Sequence, residues 1–180
     1  MINSVDASSF DSGTAYIAGT RYKLGDFTPY LYVTDDYGKN WKLITDGIKD
    51  EHFTRVLRSD KVNKNILYAG TETGMYISYD RGNSWNEFQK NLPIVPITDL
   101  TIKDNSLIVA TQGRSIWMID DLTVFHQLTP STDQIKLYKP KDSYRMGGAG
   151  GRKSLTAGTN LPNGAIIHYF IPNYDKENDQ

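Results

Sequence analysis

The sequence lacks cysteine entirely, which excludes disulfide bonds and thiol nucleophiles. The redox compartment stays open, because many secreted bacterial proteins also contain no cysteine. An excess of one charge is missing too, since 20 Lys and Arg stand against 21 Asp and Glu and the net charge is -1. Such a chain has no bulk field to gather nucleic acid, so we expect no nucleic-acid partner.

Two further absences concern membranes and targeting. No apolar run approaches the roughly 18 residues of a membrane span, so no membrane span is expected. Residues 1–11 have neither the basic stretch nor the apolar stretch of a signal peptide. We therefore expect either a cytoplasmic protein or an internal piece of a longer chain.

Helical patterns rich in Ala, Leu and Glu are also missing. The 12 Tyr, 15 Gly and 7 Pro favour strands joined by tight turns, which predicts an all-β fold. Aromatic residues make up 12% of the 180 residues, which argues against intrinsic disorder.

The sequence does contain an internal repeat. Residues 34–41 read TDDYGKNW and residues 78–85 read SYDRGNSW, and both fit the pattern hydroxyl-x-Asp-x-Gly-x-polar-Trp. The positions that define the pattern are Thr34, Asp36, Gly38, Trp41, Ser78, Asp80, Gly82 and Trp85. The second copy lies 44 residues after the first, within the roughly 40–45 residues of a propeller blade. A degenerate third copy has Asp120 and Phe125, with Leu122 at the glycine position.

The segments before each copy repeat as well, with AYIAGT at 15–20 and ILYAGT at 66–71. We interpret residues 1–130 as a partial β-propeller of three four-stranded blades, at about 1–48, 49–93 and 94–130. The expected strands are about 2–8, 14–20, 30–36, 41–47, 53–59, 65–71, 74–80, 85–92, 97–103, 106–112, 114–120 and 123–129.

In this interpretation the repeated motif locks the hairpin between the third and fourth strands of a blade. Its glycine takes φ > 0, its Asp accepts hydrogen bonds from the turn backbone, and its Trp buries a ring beneath the turn. The functional alternative is a catalytic or sugar-binding Asp beside an aromatic platform. Recurrence of one unit in successive blades favours the scaffold, because an active centre needs unlike residues that converge.

The motif resembles the Asp-box (BNR) repeat of sialidases, xyloglucanases and sortilin-type propellers, and more closely that of bacterial secreted sortilin-like "glycosyl hydrolase" proteins. The resemblance continues through LYAGTETG at 67–74, NLP at 91–93, ATQGRSIW at 110–117 and NLPNGAII at 160–167. Gln112 stands where His is more usual, and Leu161 where Pro is more usual. The resemblance implies an extracellular or cell-envelope location, and a β-sandwich after the propeller.

Residues 131–180 do not repeat the blade, and we expect a linker and the first strands of a C-terminal β-sandwich-like domain. Strands are predicted at 135–138 and 165–171, with a turn at 160–164. The Gly-rich stretch at 146–154 ends in Lys and Ser but is not a phosphate loop, because Arg152 stands where that motif needs Gly.

Candidate catalytic residues lie on the connections between second and third strands, where propeller ligands usually sit. These connections place Asp26, Glu72 and Arg114 near one face, and the first of them, residues 21–29, is long and aromatic. The alternative is that Glu72 and Arg114 pair with each other or with backbone across blades. His52, His126 and His168 are isolated and lack metal-ligand spacing, so neither a metal nor a cofactor is expected.

Two functions remain open at this point. One is a glycoside hydrolase acting on polysaccharide, whose acid and base carboxylates can lie in blades outside this chain. The other is a non-catalytic propeller that binds a protein or peptide, or that acts in cell-surface assembly. Three blades leave open edges and an uncovered face. We therefore expect the remaining propeller blades to come from a longer chain or a partner.

Overall fold

The computed structural model describes residues 1–128, 134–143 and 164–172. The chain divides into two compact units, Met1–Ile119 and Asp120–Gln180. The first unit is built from three antiparallel sheets whose strands follow one another in chain order. This is the blade architecture that the repeat predicts.

Most strand bounds agree with the expected blades to within two residues, but the outer strand of each of the first two sheets ends four or five residues early and the third strand of the first sheet begins four residues early. The first sheet contains β1 (Ile2–Ala7), β2 (Ala15–Arg21), β3 (Asp26–Thr34) and β4 (Lys42–Leu43). The second contains β5 (Thr54–Ser59), β6 (Leu67–Thr71), β7 (Gly74–Ser78) and β8 (Asn86–Glu87). The third contains β9 (Ile97–Lys103), β10 (Ser106–Thr111) and β11 (Ile116–Ile119). Both outer strands, β4 and β8, are only two residues long.

Cross-strand pairing shows which positions of the first two sheets are equivalent. Ile17 pairs with Tyr32 in the first sheet, as Ala69 pairs with Tyr76 in the second. The offset between the two sheets is therefore 69 − 17 = 52 residues at the second strand and 76 − 32 = 44 at the third. The longer connection between β2 and β3, which forms a single 3₁₀ turn at Tyr22–Leu24, accounts for the eight extra residues of the first sheet.

The predicted strand at 123–129 is wrong, because Thr123–Gln127 forms a short helix, α1. The Asp121 carboxylate accepts hydrogen bonds from the backbone N–H of Thr123 (2.9 Å) and from its hydroxyl (2.5 Å). This side chain satisfies the first free N–H of a helix, which favours the helical turn over a strand. Phe125 consequently lies within a helix, whereas its counterparts Trp41 and Trp85 lie just before an outer strand.

The main core of the first unit lies between the first and second sheets. Side chains of β2 and β3 interdigitate there with side chains of β5, β6 and β7. The buried cluster consists of Tyr16, Ala18, Leu31, Val33, Ile44, Ile48, Leu57, Leu67, Ala69, Tyr76 and Trp85. Burial of this apolar area is the dominant stabilising term for the pair of blades.

The second unit contains one short antiparallel pair among its described residues, β12 (Lys136–Leu137) with β13 (Tyr169–Phe170). The two strands lie inside the segments expected at 135–138 and 165–171. The Gly-rich stretch at 146–154 and most of the turn at 160–164 lie outside the described residues. The start of a β-sandwich therefore stays a prediction.

Candidate functional site

Each Asp box forms a tight network around its carboxylate. In the first copy, Asp36 accepts hydrogen bonds from the hydroxyl of Thr34 (2.8 Å) and the backbone N–H of Asn40 (2.9 Å). Its second oxygen accepts from the Asn40 side-chain amide (2.6 Å). The Thr34 hydroxyl oxygen in turn accepts from the N–H of Gly38 (2.9 Å). The turn is thus held from both ends by side chains of the motif itself.

The second copy repeats this network bond for bond. Asp80 accepts from the hydroxyl of Ser78 (2.8 Å), and from the backbone N–H (2.9 Å) and hydroxyl (2.6 Å) of Ser84. The Ser78 oxygen accepts from the N–H of Gly82 (2.8 Å). Gly82 has φ +87°, which favours glycine. These contacts are the ones expected of a structural turn.

Hydrogen bonds to the ionised form lower the pKa of both Asp-box carboxyls. For Asp36 the main cause is the backbone N–H of Asn40. Burial alone raises the pKa of Asp80, but hydrogen bonds from Ser84 and Ser78 outweigh burial and the net pKa is lowered. Neither carboxyl is therefore suited to hold a proton for general acid catalysis near neutral pH.

The two motif tryptophans differ in burial. Trp85 is 4% exposed, and its indole N–H donates to the carbonyl of Ile44, the residue that follows β4 of the first sheet (2.8 Å). Trp41 is 41% exposed, and its indole N–H donates to Gly38 in its own turn (3.1 Å). The turn is locally encoded, whereas the place of its tryptophan depends on the neighbouring sheet.

Asp26 is held at the start of β3 by its neighbours. Its carboxylate accepts from the Tyr30 hydroxyl (2.7 Å) and the Thr28 N–H (3.1 Å), and Arg21 approaches to 3.4 Å. The hydrogen bond from Tyr30 is the main cause of its lowered pKa. Phe27, next to Asp26, is 47% exposed and packs against Phe53 with 6.0 Å between ring centroids.

Glu72 forms an ion pair with Arg55 of its own sheet rather than with Arg114. The Arg55 guanidinium also lies over the Phe53 ring, 5.4 Å from its centroid. Arg114 is exposed and donates to the carbonyl of the adjacent Gly113 (3.2 Å). Of the two alternatives to catalysis, Glu72 thus pairs with Arg55 on β5 instead of Arg114, and Arg114 bonds the backbone of its own turn instead of backbone across blades.

A groove of about 330 Å³ lies above the second sheet, and we call it the upper groove. It is formed by the connection from β4 to β5, the first residues of β7, the strand β8 and the connection from β8 to β9. Its lining residues are Lys49, His52, Thr73, Met75, Tyr76, Glu87, Gln89 and Ile94.

The centre of the upper groove is a tyrosine–histidine pair. The hydroxyl of Tyr76, a residue only 2% exposed, lies 2.8 Å from His52 Nδ1. The same oxygen accepts from the backbone N–H of Lys49 (3.5 Å), and its own hydrogen can donate to an unprotonated Nδ1. With this direction of the hydrogen bond, the proton of the neutral imidazole lies on Nε2. Burial is the main cause of the raised pKa of Tyr76.

Lys49 and Glu87 form an exposed ion pair at the rim of the groove. Their hydrogen bond raises the pKa of Lys49 and lowers the pKa of Glu87. Ile94 is 77% exposed and adds an apolar wall. The groove therefore offers a cation, an anion, an imidazole and an apolar contact to a ligand.

In the sequence, His52 is an isolated histidine without metal-ligand spacing, and nothing there predicts this groove. Tyr76 follows His52 by 24 residues, and only the sheet register brings them together. Among the described residues, no cluster of three or more His, Asp and Glu side chains is placed to hold a metal ion. Nor does any helix in that part of the chain have the length and hydropathy to cross a membrane.

The sheets and their repeated hairpins define the class, an Asp-box (BNR-type) β-propeller. The chain matches the Sortilin-Vps10 family, described as "Sortilin, neurotensin receptor 3", over residues 30–145. Because this match covers more than half of the chain, the protein belongs to that family. No curated protein matches the sequence.

Solved structures with the same fold include three GH74 enzymes. An ancestral GH74 enzyme matches at 19% identity and TM-score 0.50, over 63% of this chain and 14% of its own. The GH74 enzyme of Niastella koreensis matches at 13% identity and TM-score 0.53, over 79% of this chain and 24% of its own. The GH74 xyloglucanase from Xanthomonas campestris matches at 15% identity and TM-score 0.51, over 77% of this chain and 25% of its own. This chain thus spans a quarter or less of each structure, and the likeness concerns the fold.

Proposed function

We propose that this chain is part of a bacterial extracellular or cell-envelope propeller that binds a peptide segment of another protein in the upper groove, without hydrolysing it. The observation that carries the proposal is the groove around the Tyr76–His52 pair. Its charges of both signs and its apolar wall suit a peptide, which presents a polar backbone together with charged and apolar side chains. The family description names a neurotensin receptor, which agrees with binding rather than catalysis.

The carboxylates on the same side of the sheets favour binding over hydrolysis. Glycoside hydrolysis needs one carboxylic acid whose pKa is raised, so that it can protonate the leaving oxygen. Hydrogen bonds lower the pKa of Asp26, and Glu72 is paired with Arg55. We therefore assign both side chains to positioning the connections between second and third strands.

A second candidate function is polysaccharide binding at the aromatic patch, which we define as Tyr22, Phe27 and Phe53. Tyr22 stacks on Phe53 with 5.2 Å between ring centroids, and Phe27 is half exposed beside the Asp26 carboxylate. An exposed ring next to hydrogen-bonding groups is a surface on which a sugar ring can stack.

Binding assays with two sets of variants separate the candidates. Lys49→Ala and Glu87→Gln alter the upper groove, Phe27→Ala alters the aromatic patch, and Lys103→Ala, on the third sheet away from both, is the control. A panel of peptides and a panel of glycans are tested against each variant, and glycans are also tested for release of reducing sugar. We expect peptide binding that weakens only with the groove variants. Glycan binding that Phe27→Ala alone removes supports the second candidate, and sugar release lost in Glu72→Gln refutes a purely binding role.

A further inference from the structure

The ion pair between Lys49 and Glu87 lies at the rim of the upper groove, and we call it the rim pair. Its two side chains are 64% and 55% exposed, so a ligand in the groove can reach both charges. The acidic residues Asp50 and Glu51 follow Lys49 in the same turn and lie outside the groove lining. The rim pair therefore provides the two charged groups that a bound segment meets inside the groove.

Strand pairing fixes the position of Glu87. Glu87 is the direct cross-strand partner of Tyr76, and opposite residues of an antiparallel pair have their side chains on the same face of the sheet. The next residue continues this pairing, because the Phe88 N–H donates to the carbonyl of Met75 (2.8 Å). The carboxylate of Glu87 consequently emerges beside the buried ring of Tyr76.

The same tyrosine also fixes the position of Lys49. The Tyr76 hydroxyl oxygen accepts from the backbone N–H of Lys49 (3.5 Å) and lies 2.8 Å from His52 Nδ1. The turn between them is closed by the backbone N–H of His52, which donates to the Lys49 carbonyl (3.2 Å). Both charges of the rim pair thus start from backbone held at Tyr76, and the pair forms a dipole of fixed direction.

A count of ion pairs shows which ligands this dipole favours. An acidic ligand that pairs with Lys49 separates it from Glu87 and leaves the Glu87 carboxylate unpaired, so one ion pair replaces another. A ligand with an acidic and a basic side chain next to each other forms two ion pairs while the groove gives up one. Each exposed pair contributes little, but the difference discriminates between ligands, because one class of ligand always leaves a charge unpaired.

We propose that the rim pair selects peptide segments that carry an acidic and a basic side chain on one face, and that its direction sets their order along the segment. This inference rests on the peptide-binding function proposed above. In an extended peptide the side chains of residues i and i+2 share a face, so the fitting patterns are acid-x-base or base-x-acid. Ile94, which is 77% exposed in the groove lining, contacts an apolar residue of the same segment.

The test uses five heptapeptides of alanine with one leucine, capped at both ends so that the termini carry no charge. Positions three and five carry Asp and Lys, Lys and Asp, Asp and Gln, Asn and Lys, or Asn and Gln. NMR titration gives each dissociation constant from the ring signals of His52, which report on the groove itself.

The peptides are titrated into three forms of the protein. These are the wild type, the exchange Lys49→Glu with Glu87→Lys, and the control exchange Lys103→Glu with Asp104→Lys in the exposed turn between β9 and β10. Each exchange keeps the net charge at -1, so the long-range field of the protein is unchanged.

We expect one of the two doubly charged peptides to bind the wild type about threefold more tightly than the singly charged peptides, since it gains one exposed ion pair. The exchange at Lys49 and Glu87 should transfer this preference to the peptide of opposite order, because the rim pair is retained with its direction reversed. The exchange at Lys103 and Asp104 should leave all constants unchanged. Salt at about 1 M, where the Debye length is about 3 Å, should reduce the differences between the peptides.

Equal binding of all five peptides, with clear shifts of the His52 signals, overturns the charge selection and leaves peptide binding intact. Tighter binding of a singly charged peptide also overturns it, as does a preferred order that stays the same after the exchange at Lys49 and Glu87. If that exchange abolishes the native circular dichroism, the preference among the five peptides on the wild type decides the question. Peptides that leave the His52 signals unchanged contradict the proposed function itself, and the inference falls with it.

Discussion

Replacing Asp80 by Ala tests the structural role of the Asp box most directly. The carboxylate of Asp80 accepts three hydrogen bonds, from the Ser78 hydroxyl and from the N–H and hydroxyl of Ser84. Ser78 is fully buried, so its hydroxyl finds no replacement in water, whereas Ser84 is exposed and is rehydrated. The loss therefore falls mainly on one buried donor and on the order of the turn.

A buried donor left without an acceptor costs about 1–3 kcal/mol, and the rehydrated Ser84 donors add little. We expect Asp80→Ala to lower the free energy of unfolding by about 1–3 kcal/mol, with peptide or glycan affinity unchanged. Asp80→Asn keeps one acceptor oxygen and should therefore lose less of the free energy of unfolding than Asp80→Ala. Asp36→Ala is the internal comparison, and it should lose about as much stability as Asp80→Ala, because the Thr34 hydroxyl that donates to Asp36 is buried like that of Ser78.

Urea unfolding followed by circular dichroism measures these differences as shifts of the midpoint at constant slope. The pKa of Asp80 is lowered on folding, so the wild-type advantage is fully present above the unfolded-state pKa of about 3.9. It disappears as the pH falls through the folded-state pKa. A folded Asp80→Ala protein of wild-type stability that has lost ligand binding or activity would refute the structural assignment.

Three further predictions concern packing and the groove. Trp85→Phe leaves the Ile44 carbonyl without its hydrogen-bond donor and should lower the free energy of unfolding by about 1–3 kcal/mol. Trp41→Phe should change the free energy of unfolding by less than about 0.5 kcal/mol. Urea unfolding measures both changes. Gly47→Ala should destabilise by more than about 2 kcal/mol, because φ is +90° and the new Cβ meets the Trp85 carbonyl oxygen at 2.3 Å. Gly25→Ala is the control, because φ is +74° but no atom lies within 4 Å of the new Cβ, and it should destabilise by roughly 1–2 kcal/mol. Equal losses of stability in the two variants would contradict a steric clash at Gly47. Tyr76→Phe removes the hydrogen bond to His52 Nδ1, and NMR of the imidazole nitrogens should show the neutral ring losing its single Nε2–H tautomer; an unchanged tautomer would contradict the assignment.

The repeat predicts the blades because the information it carries is local. Thr34, Asp36 and Gly38 form hydrogen bonds with one another within five residues, so the hairpin can be recognised from its amino-acid sequence. The strand bounds follow from the same segments. The helix at Thr123–Gln127 escapes this reasoning because its cause, the Asp121 side chain, is a single residue in a degenerate copy.

The register between blades cannot be deduced from the amino-acid sequence. Matching AYIAGT with ILYAGT gives an offset of 66 − 15 = 51 residues, whereas strand pairing gives 52. One residue of difference moves every side chain to the opposite face of the sheet. The contacts that depend on register, Tyr76 with His52 and Glu72 with Arg55, are accordingly the ones that sequence reasoning does not find.

The two Asp boxes together separate what a blade encodes alone from what it receives from its neighbour. Their carboxylate networks are equivalent bond for bond, although Trp85 is buried and Trp41 is half exposed. The turn therefore forms without an adjacent blade, while the tryptophan is placed only when one is present. In a repeat protein of this kind, stability is a sum of local terms and nearest-neighbour interfaces. The interface between the first and second sheets supplies that second term here, since Trp85, Leu57 and Ala69 lose all but a trace of their exposure to it. Blade order along the chain thus decides which motif tryptophan contributes to the core.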